Sequence, residues 1–192
     1  MTIPKTFLLL FFCLFSISVI AQEAPLLRKG FSLGANYTNV QNKVWETSNY
    51  SIGIYGEYEL PIIKKIGLTG LATAGIDRLQ GCDLCESAWY KQGIWWGFAL
   101  KRPFKIEDQE FSIQFRGRWF GFDRVQPTSR NSDGELTSWE DAKSIIKVFG
   151  FRLGYKIPVE VPLELTLSYE SNSIFGVSTV GLAYQFKTMR KD

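Results

Sequence analysis

The chain has 192 residues, enough for one ordinary domain, and no Pro- or Ser-rich linker divides it. Its 22 Lys and Arg residues nearly balance its 19 Asp and Glu residues, which argues against nucleic acid as a partner. The chain contains no histidine, so a Ser-His-Asp triad cannot form and a zinc site lacks its usual nitrogen ligands. The composition leaves one domain of near-neutral charge with little scope for hydrolytic or zinc chemistry.

The first 21 residues have the pattern of a cleaved secretory signal peptide. Lys5 precedes an apolar run from Phe7 to Ile20, and Ala21 supplies the small residue that a signal peptidase requires. The apolar run is shorter than the roughly 20 residues that a membrane-spanning helix needs, which disfavours a retained anchor. We therefore predict a signal peptide over 1–21 and a mature domain over 22–192.

After the leader, apolar and polar residues alternate with a period of two in eight segments. The first segment places Phe31, Leu33, Ala35 and Tyr37 on one face and Ser32, Gly34, Asn36 and Thr38 on the other. Similar alternation recurs near positions 50–60, 68–77, 90–101, 111–119, 149–157, 163–170 and 179–186. This period is that of β-strands. An even number of strands predicts an all-β, eight-stranded antiparallel up-and-down barrel with both termini at one end.

Prolines and turn-forming residues set the predicted connections between these strands. Pro61 and Pro103 are expected to end the second and fourth strands, because proline cannot donate to a strand ladder. The longest irregular region is predicted from Asp123 to Lys143, which contains Pro127 and several Asn, Asp and Gly residues. The links are expected to be short on one side of the barrel and longer on the other, as in outer-membrane barrels.

The two faces of the strands differ sharply in chemistry. One is aliphatic and aromatic, whereas the other carries small residues and charges of both signs. The interior of an eight-stranded barrel is only just wide enough for side chains, so the bulky face is expected outside. The same alternation would also fit a soluble lipocalin-like barrel with its charges outward. The charged residues of the small face include Lys101 and Lys156 and the predicted network of the lumen, which comprises Glu57, Glu59, Asp77, Lys91, Arg116, Arg118, Arg152, Glu164 and Glu170.

The last segment resembles the C-terminal signal by which Gram-negative outer-membrane barrels are recognised for assembly. Its pattern consists of Thr179, Gly181, Tyr184 and Phe186. With the leader and the alternating segments, it makes the chain similar to small eight-stranded outer-membrane barrels of the OmpA/OmpX type. The Ala21-Gln22 junction resembles those common in Bacteroidota. The resemblance implies a transmembrane barrel in the outer membrane, surrounded by lipid and lipopolysaccharide, inserted by the barrel assembly machinery and monomeric.

Cys82 and Cys85 are the cysteines that remain after the leader, and in an oxidising compartment they predict a local loop disulfide. A metal or redox site is the alternative for this pair.

The sequence shows no Gly-rich phosphate loop, metal-ligand cluster or nucleophile with a base, so no cofactor and no metal are predicted. We expect a non-enzymatic scaffold with loop-mediated interactions. A narrow passage for small hydrophobic solutes, a barrel partner of a larger envelope machine and a secreted ligand-binding barrel remain alternatives.

Overall fold

The computed structural model describes residues 30–44, 46–82 and 91–186 and forms a closed eight-stranded barrel. Each strand pairs antiparallel with its neighbours in the chain, and the last strand pairs with the first. The predicted fold class is therefore confirmed. The strands are β1 (Gly30–Asn42), β2 (Thr47–Ile63), β3 (Leu68–Cys82), β4 (Lys91–Ile106), β5 (Gln109–Arg130), β6 (Leu136–Lys156), β7 (Leu163–Ser171) and β8 (Phe175–Gln185).

The start of β1 and the end of β8 lie at the same end of the barrel, where Ser32 pairs with Gln185. The β2–β3, β4–β5 and β6–β7 links close this end, which we call the turn end. The β2–β3 link is a single turn of 3-10 helix, Lys64–Ile66, followed by Gly67 with a φ of 67°. The other four links lie at the opposite end, which we call the loop end. Among the described residues, no helix is long and apolar enough to cross a membrane.

Pro61 and Pro103 lie inside strands, so the prediction that they end β2 and β4 is wrong. β2 continues to Ile63 and β4 to Ile106. The ladder between β1 and β2 ends at Glu59, and that between β3 and β4 ends at Lys101. Among the described residues, each proline therefore has a partner strand on one side only. The missing N–H of proline costs no hydrogen bond where it faces the unpaired side.

The predicted irregular region from Asp123 to Lys143 is also wrong. β5 continues to Arg130 and β6 begins at Leu136, so the link between them is only the turn at 131–135. Asp123 pairs with Lys143, and the ladder continues to Arg130 and Leu136. Register shifts on either side of Ser129 interrupt the regular pairing close to Pro127. These shifts accommodate a proline that would otherwise break the ladder.

The outer part of the β5–β6 hairpin extends beyond its neighbouring strands. Within the described residues, β4 pairs with β5 as far as Phe122, and β7 pairs with β6 as far as Phe149. Residues 123–143 therefore form a two-stranded ribbon that projects from the loop end. Its tip is polar, with Ser129 Oγ 2.8 Å from Thr137 Oγ1 and Arg130 Nη1 donating a 2.6 Å hydrogen bond to the Gly134 carbonyl.

Candidate functional site

The outward face of the barrel is an apolar wall. Its aliphatic side chains are largely exposed, as in Ile52 at 64% and Ile54 at 68%. Aromatic rings collect near both ends: Phe104 and Phe111 stack at 5.8 Å beside the β4–β5 turn, and Tyr37 and Tyr50 stack at 6.0 Å toward the loop end. An exposed apolar wall around a polar interior is the arrangement of a transmembrane β-barrel.

The interior holds the charged residues of the small face. Glu57, Asp77, Arg116, Arg118, Arg152, Glu164 and Glu170 are buried, and Glu59 is partly buried. Lys91 is the first residue of β4, and its side chain lies outside what the structure describes. Lys101 is a further buried cation of the same face. Burial of single charges is costly, so the contacts among these groups decide whether the interior is stable.

Two ion-pair clusters lie in the middle of the lumen and toward its loop end. Arg118 on β5 pairs with Glu170 on β7, and Arg116 Nε lies 3.3 Å from the second oxygen of the same carboxylate. On β6, Arg152 pairs with Glu57 of β2. The Arg152–Glu57 pair joins the opposite strands β6 and β2, and the Arg118–Glu170 pair joins β5 to β7, so both lie in the space that a channel would need.

Neutral groups and aromatic rings add further contacts to Arg152 and Arg118. Arg152 Nη2 donates to Tyr55 Oη at 2.7 Å and to Thr166 Oγ1 at 3.1 Å. The guanidinium of Arg118 lies 4.6 Å from the centre of the Phe120 ring and 5.1 Å from that of Trp95. Cation–π contacts of this kind gain strength where water is absent.

A third cluster lies at the turn end. Lys101 Nζ is 3.2 Å from Glu164 Oε2 and 3.5 Å from Glu59 Oε2. Glu164 also accepts hydrogen bonds from Ser112 Oγ at 2.8 Å and from Gln185 Nε2 at 2.6 Å. Its carboxylate is therefore fully coordinated although it is buried, which is the condition under which a buried charge is tolerated.

Asp77 differs from the other acids because its partners are neutral. Its Oδ1 accepts hydrogen bonds from Trp95 Nε1 at 2.9 Å and from Asn36 Nδ2 at 3.2 Å, and its Oδ2 accepts one from Ser51 Oγ at 3.3 Å. Three donors converge on one carboxylate. Hydrogen bonds to a charged acceptor are stronger than neutral ones, so they stabilise Asp77 without a direct ion pair.

Glycines make room for the large interior side chains. A Cβ on Gly75 would lie 2.5 Å from a ring atom of Trp95, and one on Gly53 would overlap Asp77 Oδ1. A Cβ on Gly97 would lie 3.0 Å from Arg118 Cγ. The small residues and these large groups of the inner face are therefore complementary, since Trp95, Asp77 and Arg118 occupy space that glycines leave.

Sequence reasoning missed an apolar layer that closes the lumen at the loop end. This layer comprises Val40, Phe120, Ile146, Val148, Phe175 and Val177, all of them buried. β6 and β8 begin earlier than the sequence pattern indicated, at Leu136 and Phe175. Extending the period of two backward from Gly150 and Thr179 would have placed Val148 and Val177 inside.

The remaining predicted residues have different positions. Thr179 and Gly181 face the interior near the β1–β8 seam, whereas Tyr184 and Phe186 lie on the outer wall with their rings 4.9 Å apart. The backbone of Cys82 ends β3, and Cys85 lies outside the described residues, as do residues 1–29, which contain the predicted leader. No group of three metal-ligating side chains occurs in the described parts of the chain.

No protein-family model and no curated protein matches the chain. Among solved structures, a de novo designed transmembrane β-barrel is 13% identical with a TM-score of 0.46, covering 84% of this chain and all of its own. Neisserial surface protein A is 10% identical with a TM-score of 0.46, covering 81% of this chain and 96% of its own. Ail, the attachment invasion locus protein of Yersinia pestis, is 15% identical with a TM-score of 0.39, covering 82% and 97%. These values are too low to carry function, and the barrel assignment depends on this chain's own strand pairing.

Proposed function

We propose that the protein is a non-enzymatic integral outer-membrane barrel that serves as a scaffold for surface interactions. The observation that carries this proposal is the apolar outer wall around a closed ladder whose interior is charged. Large apolar side chains such as Ile54 and Leu167 are more than half exposed. A soluble lipocalin-like barrel would place these groups inside. The observed faces therefore fit that alternative poorly.

A filled lumen supports a scaffold over a conduit. Arg152 and Glu57 pair across the middle of the lumen, Lys101 and Glu164 pair at the turn end, and the apolar layer lies at the loop end. The cavity at the turn end has room for only about 20 Å³, the space of one or two water molecules. Moving a solute through the barrel would require separating these pairs, which is costly in a low-dielectric interior.

The β5–β6 ribbon is the element we assign to surface interaction. In outer-membrane barrels the short turns face the periplasm and the longer connections face outward, so the ribbon at 123–143 would extend from the cell. Loops on a rigid scaffold commonly carry binding.

We further propose that the leader over 1–21 is cleaved and that the barrel assembly machinery recognises the terminal pattern from Thr179 to Phe186. We also propose that the barrel is a monomer surrounded by lipid and lipopolysaccharide.

Two measurements test the scaffold role. Membrane fractionation should recover the protein with the outer membrane, and unheated samples should migrate faster on a gel than boiled ones. Planar-bilayer recordings of purified protein should show no stable conductance. Recovery as a soluble protein without detergent would contradict the membrane location, and steady single-channel steps or uptake of a hydrophobic solute by liposomes would favour transport.

A further inference from the structure

Two lysines lie on the outer surface at the loop end of the barrel, on either side of the β7–β8 turn. Lys147 is exposed on the outward face of β6, opposite Trp119 of β5 and two residues closer to the loop end than Phe149. Lys43 directly follows β1 and is also exposed. Because β6 neighbours β7 and β1 neighbours β8, the two lysines flank the same hairpin.

Asn172, in the β7–β8 turn, connects the two segments that carry these lysines. Its Nδ2 donates a 2.9 Å hydrogen bond to the Lys147 carbonyl, and its own carbonyl accepts a 3.0 Å hydrogen bond from Lys43 Nζ. Its Oδ1 accepts hydrogen bonds from the backbone N–H groups of Ile174 and Phe175, at 2.8 Å and 2.6 Å. The turn is therefore fixed from within, and one residue holds both lysine segments against it.

The two ammonium groups keep their charge available. Among the residues that the structure describes, no ion pair includes Lys43 or Lys147. Glu170, an acid of the adjacent strand, faces the lumen and contacts Arg116 and Arg118. The described contact of Lys43 Nζ is to a carbonyl, which leaves donors of this ammonium group free for an anion from outside the chain.

Tyr169 adds a hydroxyl and a ring to this surface. A Cβ on Gly176 would lie 3.2 Å from Tyr169 Oη and 3.5 Å from Lys43 Cε, so the two side chains lie close together over a glycine on the outer face. Aromatic rings at a membrane interface lie at the level of the lipid headgroups. We call Lys43, Lys147, Tyr169 and Asn172 the loop-end patch.

The surroundings of the loop-end patch change from apolar to polar along the barrel axis. On the turn-end side, Leu167 and Val180 pair across β7 and β8 and are both largely exposed on the wall. At the level of the patch, Gln41 and Ser178 are exposed and uncharged. The β7–β8 link, 172–174, is short, so the wall is low here beside the projecting β5–β6 ribbon. A bulky headgroup therefore has room above the lysines.

We propose that the loop-end patch binds the phosphate group of an outer-leaflet lipid of the lipid A class. Lys43 and Lys147 contact the phosphate, and the acyl chains lie along Leu167 and Val180. The inference rests on the proposed outer-membrane location, in which the loop end faces outward. A free phosphate ion would gain the ammonium contacts but nothing from the apolar wall, which favours the lipid as the source of the phosphate.

The first test measures binding to the purified, unmodified protein in detergent micelles by native mass spectrometry. Lipid A is compared with the same lipid after removal of its phosphates, and inorganic phosphate is added as a competitor. Dephosphorylation should weaken binding about 25-fold, because each lysine near a charged lipid surface contributes about 5-fold. Excess inorganic phosphate should leave the complex intact. Equal binding of the dephosphorylated lipid, or displacement of lipid A by inorganic phosphate, would overturn the proposal.

The second test assigns the binding to the two lysines. The double variant Lys43→Gln/Lys147→Gln should bind lipid A about 25-fold more weakly. The matched control Lys65→Gln/Lys105→Gln removes two exposed lysines from the turn end and should bind normally. Normal binding by the first variant, or equal losses in both, would overturn the assignment. Recovery of the unmodified protein in soluble form without detergent would instead contradict the membrane location, so the two failures are distinguishable.

Discussion

Lys101 on β4 and Glu164 on β7 form an ion pair across the barrel, with 3.2 Å between Nζ and Oε2, and both side chains are less than 10% exposed. Lys156 and Glu110 form a pair of nearly the same length, 3.1 Å, but their side chains are 31% and 23% exposed and they lie on adjacent strands. The two pairs therefore offer an internal comparison of the same interaction inside and at the rim of the lumen.

Lys101→Met should strongly destabilise the barrel because it leaves the buried Glu164 and the partly buried Glu59 without their cation. The expected loss is about 3–5 kcal/mol in the free energy of unfolding. Lys156→Met should cost less than about 1 kcal/mol, since solvent screens that pair. Urea unfolding monitored by the gel shift of unheated samples measures both. Equal losses for the two variants would show that Lys101 is not in a low-dielectric interior.

Trp95 and Trp96 are adjacent in sequence but lie on opposite faces of β4, 2% and 46% exposed. Trp95→Phe removes the Nε1 donor to Asp77 and should lower stability by about 1–3 kcal/mol. Trp96→Phe retains an aromatic ring on the outer wall and should change stability by no more than roughly 0.5 kcal/mol. The same urea titration provides the comparison. A larger effect for Trp96 would reverse the assignment of the two faces.

Gly53→Ala should prevent or severely impair assembly because the added Cβ overlaps Asp77 Oδ1 and lies 2.7 Å from the Ile76 carbonyl oxygen. Gly121→Ala is the matched control, since its Cβ would approach nothing closer than the Ile94 carbonyl oxygen at 3.7 Å. The yield of the heat-modifiable band after refolding reports assembly. Normal assembly of Gly53→Ala would mean that Asp77 can move away from its three donors.

Replacing residues 123–143 by a short turn should leave the barrel folded. This ribbon lies beyond the last described pairs that β5 and β6 make with β4 and β7, so its removal breaks none of the described pairs of the closed wall. The gel shift of the shortened protein should persist, whereas any surface binding carried by the ribbon should disappear. Loss of the shift would indicate that the ribbon is needed for barrel closure.

Most of the fold follows from a local property of the sequence, the period of two. Once the face of one residue in a strand is assigned, the period of two gives the faces of all the others. Arg116 and Glu164 could therefore be placed together on the inner face. The strand ends were less predictable, because Pro61 and Pro127 are strand breakers only where both neighbours need their N–H. In the part of the chain that the structure describes, the ladder beside each proline is absent or irregular.

The pairing within the lumen could not be predicted because it depends on closure of the barrel. Arg152 and Glu57 are 95 residues apart, and Arg118 and Glu170 are 52 apart. Sequence alternation places all four on the inner face but does not give their heights along the barrel axis. Those heights follow from the register at every strand pair, which side-chain patterns alone do not specify.

The outer wall of the barrel contacts lipid, whereas the charged face does not. The most direct measurement is fluorescence quenching by brominated acyl chains in vesicles, using one variant that retains only Trp96 and one that retains only Trp95, with the other tryptophans replaced by Phe. We predict strong quenching of Trp96, which is 46% exposed on the wall, and little quenching of Trp95, which is 2% exposed in the lumen. Equal quenching of the two, or quenching of Trp95 alone, would contradict the account.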